Sequence, residues 1–438
     1  MMQRIQYMPK SKNHVSAYFC IFILFLTSME LWIAWHGREV FIDFFVGLCL
    51  LYLIIKNRIK LNFEQKNVIT FLLLLLFAII YKMANKNWAG IMGETFGYIF
   101  PVSLIIFLND IDRVKCIRYI VKWFAILMVP AIITYFLCQT IGLPSLGTLK
   151  LHDNPYQEDW YLYKENYFFC TMYALRETMR FNGPFNEPGH LGMMSAFLLL
   201  ADGFKFNKKS TWVIFLALLM TQSLSGYILA FVGFLFANYN NGTMKFKVMM
   251  PFLIFIIGGY LYATYYDAGN NFLNERILAR LEYDEETGIE GNNRLRGDIH
   301  LYFLNMLSDR YLLFFGYDRD TIEQWASEGS RGTGLEMYIV AHGIVGAILS
   351  LSFYFVAFLY ERPKKAAALY FAFVFLLLLQ RSYCYWASWL ICYLYGLTTW
   401  KMNTKKEITK RYRLYRKPHI FNELSGRGKR LVRLLEDN

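Results

Sequence analysis

Apolar residues along this chain gather in long unbroken runs, and polar residues are confined mainly to the stretches between them. VITFLLLLLFAII from Val68 and AAALYFAFVFLLLLQ from Ala366 approach the ~20 residues a helix needs to cross a bilayer. Outer-membrane strands would alternate and be about half as long, so the pattern predicts helices. It predicts twelve, near 15–35, 40–55, 68–84, 89–108, 119–142, 187–204, 211–222, 225–238, 248–266, 334–360, 366–380 and 383–400. The stretch 211–238 is almost continuous, yet Lys208 and Lys209 precede it and Lys245 and Lys247 follow it. A single crossing would carry one basic cluster outside, so the positive-inside tendency divides it into a hairpin of two short helices turning at TQSLSG. Arg381 divides 366–400 in the same way. An even number of crossings places both termini in the cytoplasm. The chain then reads as five helices over 1–142, a first outer loop over 143–186, four helices over 187–266, a second outer loop over 267–333, three helices over 334–400 and a basic cytoplasmic tail over 401–438.

Composition agrees with an all-α polytopic membrane protein: 56% of the 438 residues are hydrophobic, 18% aromatic and only 18% charged. The net charge of +13 has a membrane explanation, because the tail alone carries +8 and the inner loops KNRIK, DRVKCIR and ERPKK add more. An anionic cytoplasmic leaflet attracts such segments, so the bilayer is the expected partner and nucleic acid is not. The seven cysteines lie mostly inside apolar runs, with no CxxC pair and no zinc-like spacing, so no metal site or disulfide framework is expected. The first apolar run lacks a small-residue cleavage site and is too long for a removable signal, so it reads as a retained helix.

The two outer segments are too long to be simple connections. In the first, DWYLYKENYFFCTMYALRETMR can place Trp160, Tyr163, Tyr167 and Met172 on one face of an interfacial helix, as a membrane-belt anchor or a stacking platform for sugar rings. The second holds thirteen acids and seven basic residues, every one of them arginine. Arginine's planar fork suits phosphate oxygens, whereas lysine is a hydrated point charge. Arg276, Arg280, Arg310 and Arg319 read as partners of neighbouring acids, while GNNRLRGD offers Asn293, Arg294 and Arg296 to a ligand, with Arg331 and Glu336 further along. Ionisable or polar residues that intrude on the spans (Glu30, Asp43, Glu94, Glu187, His190, Gln222, Glu336, His342 and Arg381) map toward the outer ends.

The densest of these intrusions is RFNGPFNEPGHLG, from Arg180 to Gly192, directly before an apolar run. Pro188 suits the first helical position, which makes Glu187 the helix cap. Glu187 and His190 are three apart and share a face. The NGP turn can bring Arg180 back over the same helix end, where free N–H groups already favour anions. A glutamate held there stays ionised and can accept a proton from a hydroxyl within roughly 3 Å.

RFNGPFNEPGHLG resembles the Arg…Gly…Glu-Pro signature of bacterial O-antigen and capsule polymerases of the Wzy type, in the superfamily shared with WaaL-type O-antigen ligases. GNNRLRGDIHLYFLNMLSDRYLLFFGYD followed by GLEMYIVAHGIVGAIL resembles the second conserved block of that family. Two departures stand beside these matches. The outer hairpin reads SLSGY from Ser223 without the arginine many relatives carry, and Glu336 stands near the place where ligase-like members have a His-Asn pair.

The resemblance implies a GT-C-like, inverting glycosyltransferase that moves a glycan from polyprenyl diphosphate to a lipid-linked repeat unit at the outer face of the bacterial inner membrane. It implies Glu187 as base with His190 second, Arg180, Arg294 and Arg296 on the diphosphate, and Asn293, Arg331 and Glu336 as further substrate contacts. No metal or other cofactor is expected if arginines supply the charge. A flippase and a chain-length regulator are the expected protein partners. A ligase acting on a lipid acceptor, and a lipid-linked glycan flippase or other transporter, are the alternatives.

Overall fold

The computed structural model of the protein describes residues 14–35, 38–56, 58–83, 88–150, 162–174, 180–241, 257–271, 283–284, 288–289, 299–317, 334–360, 364–381 and 385–415, with single positions at 274, 278 and 321. It is mostly helical. In chain order the helices are α1 (His14–Thr27), α2 (Arg38–Ile55), α3 (Gln65–Phe77, continued by a π turn, Ala78–Met83), α4 (Trp88–Ile106, including a π turn, Thr95–Ile99) and α5 (Asp110–Ile141). Then come α6 (Pro188–Asp202), α7 (Lys209–Met220), α8 (Leu224–Asn241) and α9 (257–265). The last are α10 (Ile299–Met306), α11 (Arg310–Phe315), α12 (Gly334–Tyr360), α13 (Lys364–Gln380) and α14 (Ala387–Tyr415). By length and composition α3, α4, α5 and α12 can each cross a membrane, and α1, α7 and α8 are shorter apolar helices.

Some of these helices carry exposed apolar stripes, of the kind that suits contact with lipid. On α2 the exposed residues Phe41, Phe45, Leu48, Tyr52 and Ile55 form one stripe at helical spacing. On α12 Ile344, Ile348, Leu351, Phe355 and Leu359 do the same. The core is built on α6, every residue of which is buried, with α5, α7, α8 and α14 packed around it.

Polar side chains gather at the two ends of this bundle. At one end Tyr18 donates to Asp112 at 2.6 Å, Arg113 donates to Asn67 at 3.0 Å, and Lys401 reaches Asp110 at 3.7 Å. Asp202, at the close of α6, pairs with Lys208 at 2.6 Å, and Trp400 beside it donates to Leu200 O at 2.9 Å. The other end holds the start of α6 and the loop after α1. The 14 residues of α1 separate the two ends by roughly 21 Å.

α6 and α8 run parallel and touch backbone to backbone. An ideal Cβ on Gly226 would stand 3.0 Å from the Gly192 carbonyl carbon, so neither helix tolerates a side chain at the crossing. The chain breaks between α7 and α8 at Thr221–Ser223, within the TQSLSG turn, with Gln222 in the left-handed region at φ 50°.

Three local expectations are corrected. DRVKCIR is not an inner loop but the first two turns of α5, capped by Asn109, whose side chain accepts from Asp112 N. α14 runs on to Tyr415, beyond the predicted boundary at 400. The interfacial helix expected in 143–186 is instead a three-stranded antiparallel sheet of β1 (Gly147–Lys150), β2 (Leu162–Glu165) and β3 (Thr171–Tyr173). Aromatic and threonine-rich runs suit strands; here Asn166 N donates to Cys170 O at 2.9 Å and closes the β2–β3 hairpin. Tyr163 is buried against Trp35 and Tyr173, so it packs the sheet on to the loop after α1 rather than offering a stacking surface. Trp160 lies outside the described residues. A second, two-stranded sheet pairs β4 (Tyr283–Asp284) with β5 (Gly288–Ile289).

Candidate functional site

The approach to α6 is fixed by neighbours from three parts of the chain. Phe181 N donates to Met220 O at 3.1 Å, Thr171 N to Gly183 O at 2.8 Å, and Trp32 N to Pro184 O at 3.2 Å. The Thr171 hydroxyl donates to Phe185 O at 2.7 Å. Gly183 takes φ 59°, where a side chain would be strained. Phe181, Asn182 and Phe185 are buried, so NGPFNEP is core structure rather than a surface loop.

Pro188 opens α6 and Glu187 is its N-cap residue, with extended backbone at φ −134° and ψ 128°. The Glu187 side chain makes no cap hydrogen bond. It turns instead to the ion pair: Arg381, just past α13, donates from Nη2 to Oε1, and His190 Nε2 lies 3.1 Å from Oε2. Gly189 leaves room for this pair, since a Cβ there would stand 3.0 Å from Glu187 Oε1 and 3.4 Å from Arg381 Nη2.

His190 is 3% exposed. Trp386 meets its ring edge-on at 5.3 Å. The second ring nitrogen, Nδ1, faces Glu30 Oε2 at 3.8 Å. Asn186 Nδ2 donates to the same Glu30 oxygen, and Trp35 Nε1 donates to the Glu30 carbonyl at 2.9 Å. Glu30 lies in the loop after α1, at φ 58°. Glu187, Glu39 and Arg381 are the charged groups that act on its carboxyl through space. The side chain is still 37% exposed, so it lines a recess rather than the packed core.

Glu187 and His190 therefore share one site, as their spacing predicts. The guanidinium seated on Glu187 is that of Arg381. Arg180 donates from Nε to Thr221 O at 3.0 Å, in the break before α8 and one helical turn along α6 from Glu187. Glu336 lies in the first turn of α12. Asn293, Arg294, Arg296 and Arg331 lie outside the described residues, and so does the predicted meeting of Arg294 and Arg296 with Glu187. Among the described residues no three His, Cys, Asp or Glu side chains gather as metal ligands. The site residues that sequence reasoning left without a role are Arg381, Glu30, Asn186 and Trp386. The signal for the first two was present as a lone charge interrupting an apolar run.

The two halves of the second quoted block also meet. The backbone at Gly316, φ 81°, lies against Ala341 and His342, and Gly343, φ 61°, breaks α12 against the Phe314 carbonyl. Tyr317 N donates to Val340 O at 2.9 Å, and the Tyr81 hydroxyl donates to His342 O at 2.6 Å.

No family model matches the chain, and neither the curated proteins nor the solved structures contain a match to it. The resemblance to the polymerase family rests on the quoted motifs alone.

Proposed function

We propose that the protein is a bacterial polysaccharide polymerase of the Wzy type, an inverting glycosyltransferase with twelve spans and a GT-C-like architecture. In this reading it lies in the inner membrane with both termini cytoplasmic, and the Glu187 end of the bundle faces outward. The observation that carries the reading is a carboxylate held between an arginine and a histidine at the buried start of α6, 31% exposed and so within reach of a substrate.

The chemistry follows from that arrangement. The donor is a growing glycan on polyprenyl diphosphate, and the acceptor is a hydroxyl of one more lipid-linked repeat unit. Arg381 orients Glu187, whose carboxylate takes the hydroxyl proton as the oxygen attacks the anomeric carbon. The bond to diphosphate breaks on the opposite face, and the electron pair leaves on the phosphate. Diphosphate is a good leaving group, so positioning and charge neutralisation are the main demands on the protein. Arg180, Arg294 and Arg296 are assigned to the phosphates, and Asn293, Arg331 and Glu336 to the sugars. A flippase upstream supplies the substrate, and a chain-length regulator is a fitting partner.

One observation favours the transporter alternative, since interrupted helices mark transporter sites and α12 is broken at Gly343. Packing accounts for that break: the freed His342 carbonyl accepts from Tyr81, and Gly343 sits against the backbone of α11. The test is complementation at matched protein levels. Glu187→Gln, Arg180→Ala and Arg296→Ala are each expected to abolish long surface glycan, leaving single repeats on the final carrier. A ligase would instead leave polymer on the polyprenyl lipid. Full-length glycan from all three variants would overturn the site assignment.

A further inference from the structure

The four groups at the start of α6 form a line, Arg381–Glu187–His190–Glu30, with accessibility that alternates along it. Glu187 and Glu30 keep 31% and 37% of their side-chain exposure, while the imidazole between them keeps 3%. Each ring nitrogen faces one carboxylate, at 3.1 Å for Glu187 and 3.8 Å for Glu30. An imidazole so placed accepts a proton at one nitrogen and releases one from the other. The longer distance is of the kind that tightens when substrate binds.

Glu30 is placed with some care. A glutamate at φ 58° is disfavoured, and a glycine or asparagine would make the same turn more easily. The loop is held there by Glu30 N donating to Thr27 O at 2.9 Å and by Trp35 donating to the Glu30 carbonyl. Asn186, adjacent to Glu187 in the chain, fixes the carboxyl itself. A turn alone would need none of this.

We infer that Glu30 is the proton outlet of the site, receiving through His190 the proton that Glu187 takes from the acceptor hydroxyl. This rests on the polymerase reading. In the step, the acceptor O–H breaks and its proton goes to Glu187, while the oxygen pair bonds the anomeric carbon and the old carbon–oxygen pair leaves on diphosphate. Glu187 passes its proton to His190 Nε2 as Nδ1 releases one to Glu30, which gives it to water; the ring regains its starting tautomer before the next addition. Among the described residues, the charged or titratable groups facing Glu30 are Glu187 and His190 from α6, Arg381 after α13 and Glu39 from α2.

The test uses full-length protein in lipid nanodiscs with polyprenyl-diphosphate-linked repeat units, following kcat and KM across pH with and without added imidazole. Wild type should extend the glycan and Glu187→Gln should not. Glu30→Gln should keep KM and melting temperature, lose roughly tenfold to hundredfold in kcat, lose the near-neutral limb of the pH profile, and recover in part with imidazole. Glu30→Asp should retain much of the activity. Wild-type kcat and pH profile in Glu30→Gln would overturn the outlet while leaving the polymerase reading intact. So would a folded but inactive Glu30→Gln that imidazole does not rescue. Wild-type protein that binds the substrate without extending it would overturn both.

Discussion

Arg381 donates a hydrogen bond to Glu187 across 194 positions of sequence, joining the end of α13 to the cap of α6. The pair fixes the direction of a carboxylate that would otherwise cap its own helix. Arg381→Ala removes a charge-assisted hydrogen bond worth about 1.5–3 kcal/mol and frees Glu187 to turn back to the helix N-terminus. Glycan extension is expected to fall by tenfold or more, with Arg381→Lys losing less because the charge remains. Polymer length on gels, at matched protein levels, checks this.

Gly192 and Gly226 let α6 and α8 cross at backbone contact, with Thr221 Oγ1 2.9 Å from an ideal Cβ on Gly192. Gly192→Ala or Gly226→Ala is expected to destabilise the protein by about 1–3 kcal/mol, as overpacking does. Gly93 in α4 has nothing within 4 Å of its Cβ position, so Gly93→Ala should be neutral or stabilise by about 0.5–1 kcal/mol. Melting temperatures in one detergent separate the two cases.

Much of the helix layout was legible in the sequence, because long apolar runs satisfy their backbone groups most simply as helices, and polar residues mark where those runs stop. Pro188 and Glu187 marked the start of α6 for the same local reason. The pairing of Glu187 with Arg381 was not legible, since no periodicity connects residues 194 apart. Nor was the sheet in 143–186: Tyr163 and Tyr167 fit a helical face as well as a strand, and the Asn166 turn decided between them. The approach of Glu30 to His190 was not legible either, because the direction of that side chain depends on a left-handed backbone that a glutamate seldom adopts.

The Tyr81 hydroxyl serves the carbonyl that the break at Gly343 leaves without its helical partner. Tyr81→Phe keeps the ring packing against Phe77 and His342 but removes that donor. A loss of about 1–3 kcal/mol is expected, seen as a lower melting temperature with little change in helix content by circular dichroism.

The central claim, that the carboxylate at the head of α6 drives glycosyl transfer, is tested most directly by incubating the purified protein with lipid-linked repeat units and resolving the products by size. A ladder of extended glycans from wild type, and unextended repeats from an equally folded Glu187→Gln, is the expected result. A full ladder from Glu187→Gln, or passage of unextended repeats across sealed vesicles by a wild type that makes no ladder, would contradict it.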